Sequence, residues 1–297
     1  MIKNILVSGG CGFIGSNLSN FLIKKGYRTI IIDNLSNSNL KNVDKNIIFF
    51  KKNISSTKFI NKILIKYEID TIIHLAAKSG VNFKRDALIR NNIHGTESIL
   101  KSTKKTKVKN FIFSSSAAVY GGSRFPVKEN KKLNPLNDYG ISKKKTEKYV
   151  SNYCKKNKIN FVILRLFNVI GFKKYHSNLS VFDKIYHALT KGKNFYLRKS
   201  KESSSRDFIF LGDVIQIFFK IIKKISKHKN IIYNCCNNKK FSIDQVTKFL
   251  EKKLNKKLRL KTINLQRNEI LHSIGNNTLI KKKKLYNKNV SLYYLVN

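Results

Sequence analysis

Acidic residues are scarce in this chain: 16 Asp+Glu stand against 61 Lys+Arg in 297 residues, a formal net charge of +45. Tryptophan is absent, proline occurs twice and cysteine four times. Two prolines exclude a proline-rich scaffold or a collagen-like chain. Cys11, Cys154, Cys235 and Cys236 form no C-x-x-C pair and no metal-ligand spacing, so no metal site is expected. Reduced thiols and a cytoplasmic location follow as the expectation. Long apolar runs are missing as well. The N-terminal run Ile5-Leu6-Val7 is cut short by Ser8-Gly9-Gly10, too early for a signal-peptide core. Phe208 to Ile222 is interrupted by Asp213, Gln216 and Lys220, so it does not read as a membrane span.

The positive charge is spread through every segment, and lysine outnumbers arginine several-fold. Lys, Asn, Ile and Phe share AT-rich codons, so base composition accounts for the excess without a nucleic-acid partner. A nucleic-acid groove would cluster arginines and aromatics. Lys281 to Lys284 reads as a solvated helix face.

What is present is an apolar fraction of 41%, ample for a core, with a clear alternation. Strands are predicted at Ile5–Val7, Thr29–Ile32, Asn46–Phe50, Thr71–Leu75, Asn110–Ser114 and Asn160–Leu166. Helices are predicted over Asn17–Lys25, Ile60–Tyr67, Ile89–Thr103 and Tyr139–Asn157. Continuous apolar strands separated by helices imply an α/β fold, a doubly wound parallel sheet of the Rossmann type. We place this domain at 1–168 and a smaller, interleaved C-terminal substrate lobe at 169–297. A strand and helix near 206–233 return to the first domain.

Gly9, Gly12 and Gly15 fall between the first strand and the first helix. Glycines there let backbone N–H groups approach a pyrophosphate at a helix N-terminus. Asp33 ends the second strand, where a carboxylate accepts ribose hydroxyls and repels a 2′-phosphate, favouring NAD over NADP. Tyr139 and Lys143 stand one helical turn apart on one face, and an ammonium beside a phenol lowers its pKa. The fifth strand ends in Ser114-Ser115-Ser116, at the carboxyl edge where ligands bind.

Together these residues resemble the extended short-chain dehydrogenase/reductase family, in its nucleotide-sugar epimerase and dehydratase branch. His74-Leu75-Ala76-Ala77, Asn92-Ile93-His94-Gly95-Thr96, Arg165-Leu166-Phe167-Asn168 and the segment from Arg206 to Val214 extend the resemblance over nearly the whole chain. It implies that NAD is held by Gly9, Gly12, Phe13, Ile14, Gly15, Asp33, Asn34, Asn53, Ile54, Leu75, Ala76, Ala77 and Asn92, together with Tyr139 and Lys143. It implies Ser116 on the sugar O4, Tyr139 as acid/base, and Asn168, Arg206 and Arg267 on the nucleotide diphosphate. Dehydratases of the branch carry a carboxylate just after the catalytic hydroxyl, whereas Ala117-Ala118 stands here, as in UDP-glucose 4-epimerases. The implied substrate is a UDP-hexose, and Ser273, a small residue lining the sugar pocket, leaves room for an N-acetyl group. A homodimer through helices near 89–103 and 140–156 is implied too.

Other activities of the same scaffold, namely dehydration, decarboxylation or reduction, and a non-catalytic dinucleotide-binding protein stay open as alternatives. Three departures from the family pattern stand out. Asn53 replaces an adenine-binding Asp, Gly275-Asn276 replaces Ala-Asp, and relatives continue through a final helix where this chain stops at Asn297. Tyr175 and His176 read as a surface loop.

Overall fold

Ile5 and Val7 face one side of the first strand and Leu6 the other, and all three are fully buried in two different apolar clusters. Both faces of the sheet are therefore covered, which is why these strands read as unbroken apolar runs rather than alternating ones. The computed structural model describes residues 3–80, 83–171, 180–199, 203–264 and 269–286. Its first elements are β1 (Asn4–Ser8), α1 (Phe13–Lys24), β2 (Arg28–Asp33), β3 (Ile48–Lys51), α2 (Thr57–Lys66), β4 (Thr71–His74), α3 (Arg85–Leu88) and α4 (Gly95–Lys101). There follow β5 (Asn110–Ser116), α5 (Asp138–Lys156), β6 (Asn160–Leu166), β7 (Asn168–Ile170), α6 (Val181–Lys191), β8 (Asn194–Lys199), β9 (Ser205–Arg206) and β10 (Phe208–Phe210). The last are α7 (Leu211–Lys223), β11 (Ile231–Cys235), β12 (Phe241–Ser242), α8 (Ile243–Leu254), β13 (Arg259–Asn264), β14 (His272–Ser273) and α9 (Thr278–Lys282).

Seven parallel strands form the main sheet in the order β11-β6-β5-β4-β1-β2-β3. The order reverses between β1 and β4, and the crevice at their carboxyl ends is where a doubly wound sheet binds ligands. One face packs α1 and α7 through residues such as Leu18, Leu22, Phe218 and Ile221; the other packs α2, α4 and α5 through Ile60, Leu64, Ile99 and Val150. The smaller lobe has its own core, where Phe182 and Ile185 of α6 meet Val246 and Leu250 of α8. Three small sheets surround it: β10-β7, β12-β9-β14 and β13-β8. No described helix is long and apolar enough to cross a membrane.

Two elements differ from the sequence reading. Helix α1 begins at Phe13, directly after the glycine turn, instead of at Asn17. The helix read over 89–103 is α3 and α4 joined by a wide π turn through Ile89–His94. Such turns displace one side chain from its regular position. Here Asn92 is buried, its Oδ1 accepting the Lys78 N–H (2.8 Å) and its Nδ2 donating to the Lys78 carbonyl (3.1 Å) and Ser142 Oγ (3.1 Å).

Candidate active site

At the reversal point lies a cleft of about 370 Å³. Gly9, Gly12, Phe13, Ile14 and Gly15 form one end of its wall; Asp33, Asn34, Asn53 and Ile54 flank it; Leu75, Ala76 and Ala77 run along the middle; Ser116, Tyr139 and Lys143 stand at the other end. All the residues anticipated for NAD line it except Asn92, which holds the backbone of Lys78 from behind and so supports the wall. Asn91, Lys78, Lys52 and Ser36 to Ser38 also line the cleft and were not anticipated.

The glycine turn is packed too closely against backbone to admit side chains. Gly9 adopts φ +71°, and a Cβ there would meet the Ala76 backbone N at 2.6 Å; a Cβ on Gly15 would meet the Gly9 carbonyl at 2.2 Å. Asp33 fixes the turn from outside. Its Oδ2 accepts the Cys11 N–H (3.0 Å), and its Oδ1 accepts the Leu35 N–H (2.8 Å) and the Ser38 hydroxyl (2.9 Å). A carboxylate offers about four acceptor positions, so most of this one organises the two loops between which a ribose would lie. A cradle without side chains, a carboxylate beside it and an elongated cleft fit a dinucleotide. Gly15→Ala is accordingly expected to abolish NAD binding in a calorimetric titration and to destabilise the fold by about 1–3 kcal/mol through overpacking.

At the other end the chemistry is carried by β5 and the first turns of α5. Asn137 caps α5, its side chain accepting the Gly140 N–H at 2.9 Å. Gly140 lets that helix approach closely, since a Cβ there would stand 2.5 Å from the Ala118 carbonyl. This contact, unnoticed in the sequence, brings Tyr139 against the loop that carries Ser116. The Ser116 hydroxyl interacts with the Tyr139 phenol, and Ser116 Oγ accepts the Ala118 N–H at 3.2 Å. Burial pushes the Tyr139 phenol above its ordinary value, and the Ser116 interaction opposes that rise. Lys143 does not point its ammonium at Tyr139: Nζ donates to the Ser114 carbonyl at 2.7 Å and lies 4.7 Å from the centre of the Phe113 ring. The lowered phenol pKa expected from Lys143 is therefore not what these contacts produce. Burial lowers Lys143 itself to about 8, with Glu147 pulling the other way. His74, buried below this end, joins Ser8 (2.6 Å) to Thr96 (2.8 Å), and burial drives it down to about 3, so it stays neutral.

Of the residues anticipated for the substrate, Ser116 lines the cleft, whereas Asn168, Arg206 and Ser273 come together around Asp207. Asn168 Nδ2 donates to the Asp207 carbonyl (3.0 Å), and the Asp207 N–H donates to the Ser273 carbonyl (2.8 Å). Ser273 pairs with Arg206 between β14 and β9. The Asp207 carboxylate, raised to about 7 by burial, accepts N–H groups of Asn237 (2.8 Å), Asn238 (2.9 Å) and Gly275 (3.2 Å). Arg206 donates to the carbonyls of Ser205 (3.0 Å), Leu271 (2.7 Å) and Ile270 (2.8 Å). Three of the five guanidinium N–H groups thus tie β9 to the residues that lead into β14. Arg267, Tyr175 and His176 lie outside the described residues. Among the described residues no group of three or more His, Cys, Asp or Glu is placed to hold a metal.

Comparison with known proteins agrees with this geometry. A dTDP-D-glucose 4,6-dehydratase of Dictyostelium discoideum is 32% identical over 246 residues, covering 75% of this chain and 56% of that protein. A UDP-glucose 4-epimerase of Lactobacillus helveticus is 37% identical over 171 residues, covering 56% of this chain and 52% of that protein. The chain thus spans only about half the length of either. The crystal structure of UDP-glucose 4-epimerase from Thermotoga maritima with UDP-glucose superposes with a TM-score of 0.92 at 26% identity, covering 99% of this chain and 96% of that one. Residues 5–236 match the NAD dependent epimerase/dehydratase family, and with that match the chain belongs to this family.

Proposed function

We propose that the protein is an NAD-dependent UDP-hexose 4-epimerase. The observation that carries this reading is the Ser116–Tyr139 couple facing a cleft whose only described carboxylate, Asp33, lies at the opposite, ribose end. Elimination of water, the dehydratase reaction, calls for an acid beside the reacting sugar. Ala117 and Ala118 follow Ser116 directly, and neither carries a proton. The similarity to UDP-glucose 4-epimerases supports the same choice.

In this reading Ser116 Oγ holds the sugar O4, and Tyr139 Oη removes the O4 proton as general base. Bound NAD supplies a hydride acceptor and donor, and its positive nicotinamide ring favours the phenolate. Lys143, anchored by the Ser114 carbonyl, would in its protonated form hold the nicotinamide ribose. Once the 4-keto sugar has presented its other face, Tyr139 returns the proton to O4. The open end of the cleft toward Asn168, Arg206 and Ser273 receives the nucleotide diphosphate and the sugar. The homodimer is part of the same proposal, its contact helices being α4 and α5; sedimentation velocity reads it directly.

A proton NMR time course with UDP-glucose and UDP-N-acetylglucosamine, each with NAD and no other redox partner, tests the reading. Appearance of the galacto epimer is expected, and the faster substrate defines what Ser273 admits. Unchanged sugars with NAD bound would overturn it in favour of another nucleotide sugar or of the non-catalytic alternative. The free-enzyme pH profile provides a second check. Lys143 carries its proton below about pH 8 and loses it above, so kcat/KM is expected to fall as pH rises through about 8. A profile level to pH 10 would contradict the role given to Lys143.

A further inference from the structure

Three consecutive serines end β5, and each is engaged by a different residue of one stripe on α5. The Ser114 carbonyl accepts from Lys143 Nζ (2.7 Å), the Ser115 hydroxyl donates to Glu147 Oε1 (2.5 Å), and the Ser116 hydroxyl interacts with the Tyr139 phenol. Tyr139, Lys143 and Glu147 are spaced by successive helical turns, so they share a face. These serines need such support. β4 pairs with β5 only as far as His74↔Phe113, so the last three residues of β5 overhang β4 and keep strand pairing on the β6 side alone.

Glu147 has a second partner. Arg165, the β6 residue paired with Ser115, donates from Nε to Oε1 (3.0 Å) and from Nη2 to Oε2 (2.7 Å). Both side chains are buried, at 4% and 3% exposure. Arg165 then reaches past Ser116 to the far end of its loop, where Nη1 donates to the Tyr120 hydroxyl and to the Glu129 carbonyl, both at 2.8 Å. The Tyr120 hydroxyl in turn donates to Asn234 Oδ1 at 2.7 Å. Glu147 thus holds the residue before Ser116, and Arg165 holds the residue that closes the short 3₁₀ turn Ala117–Tyr120 after it.

We propose that the buried Glu147–Arg165 pair is a positioning device for the Ser116–Tyr139 couple, clamping both ends of the segment that presents Ser116. A buried ion pair adds little net stability compared with apolar packing, so positioning is the reason for its presence. The inference rests on the epimerase reading for its effect on turnover, but not for its effect on Tyr139.

Ser115→Ala and Tyr120→Phe each release one end of the clamp and leave the ion pair in place. The test measures kcat and KM for a UDP-hexose on the NAD-loaded enzyme. It also measures the titration of Tyr139 by NMR of ring-labelled tyrosine, assigned through Tyr139→Phe. Each variant is expected to lose about 10- to 100-fold in kcat, the scale of a small misplacement of reacting groups, with KM unchanged. Each is also expected to move the Tyr139 titration upward, because the Ser116 interaction that holds it down weakens. Wild-type kcat and an unmoved titration in either variant would overturn the proposal. If the wild-type protein turns over no UDP-hexose, the epimerase reading falls, and the Tyr139 titration alone decides the clamp: a shift supports it and no shift overturns it.

Discussion

Tyr139→Phe is expected to slow epimerisation by about 10²- to 10⁴-fold, the usual contribution of a positioned acid/base, while NAD stays bound. The phenyl ring keeps the packing of Tyr139 at the start of α5 and removes only the hydroxyl that interacts with Ser116. Ser116 retains its bond from the Ala118 N–H, so the loop keeps its shape. What disappears is the only described titratable side chain that lines this end of the cleft besides Lys143. Lys143 stands against the Ser114 carbonyl and is directed away from the place a sugar O4 would take beside Ser116. The loss should therefore fall on kcat with KM near its wild-type value, the pattern of an interaction made only in the transition state. Initial rates by proton NMR and bound NAD by absorbance are the two measurements. A variant retaining more than about a tenth of wild-type turnover would mean that the proton leaves by another route, since general-base catalysis is rarely worth so little.

The sheet was legible because its strands are buried on both faces. Ile30, Ile31 and Ile32 sit in opposite clusters in turn, and such a run reads the same from sequence as in space. The glycine turn was legible because its requirement is local: Gly9 and Gly15 are crowded by the turn itself and by the neighbouring strand's loop. Tyr139 and Lys143 were legible as a helical pair. Glu147, one more turn along the same face, carried the same signal and looked like one charge among many. Its meaning lies in Arg165 and Ser115, 18 and 32 positions away, which no local spacing reveals. The carbonyls that Arg206 braces come from 64 and 65 residues further on, so this part of its work has no local signal. Gly275-Asn276 read as a departure from the family pattern. In the fold, a Cβ on Gly275 would stand 2.5 Å from Cys236 Sγ and 2.7 Å from the Phe167 ring, so those side chains occupy its place. Asn276 Oδ1 accepts the Thr278 N–H at 3.0 Å, so the amide performs a capping role at the start of α9.

Arg165→Met is expected to destabilise the protein by about 3–5 kcal/mol, the range found when one partner of a buried ion pair is removed. Glu147, at 4% exposure, would keep a single described hydrogen bond, that from the Ser115 hydroxyl, and the more distant attraction of Lys143. The Tyr120 hydroxyl and the Glu129 carbonyl would each lose a donor. For a chain of this size that corresponds to a fall in melting temperature of about 5–8 °C, read by circular dichroism or calorimetry. The double substitution Glu147→Leu with Arg165→Met removes both charges and fills the space with apolar groups. Such replacements are often neutral or stabilising, so most of the lost stability should return. Turnover should not return with it, because Ser115 and Tyr120 would still lack the partners that hold the two ends of the Ser116 segment. A double variant that recovered both stability and kcat would show that the ion pair only fills the core. Recovery of stability alone separates the two roles and leaves Glu147 and Arg165 as residues kept for where they put Ser116.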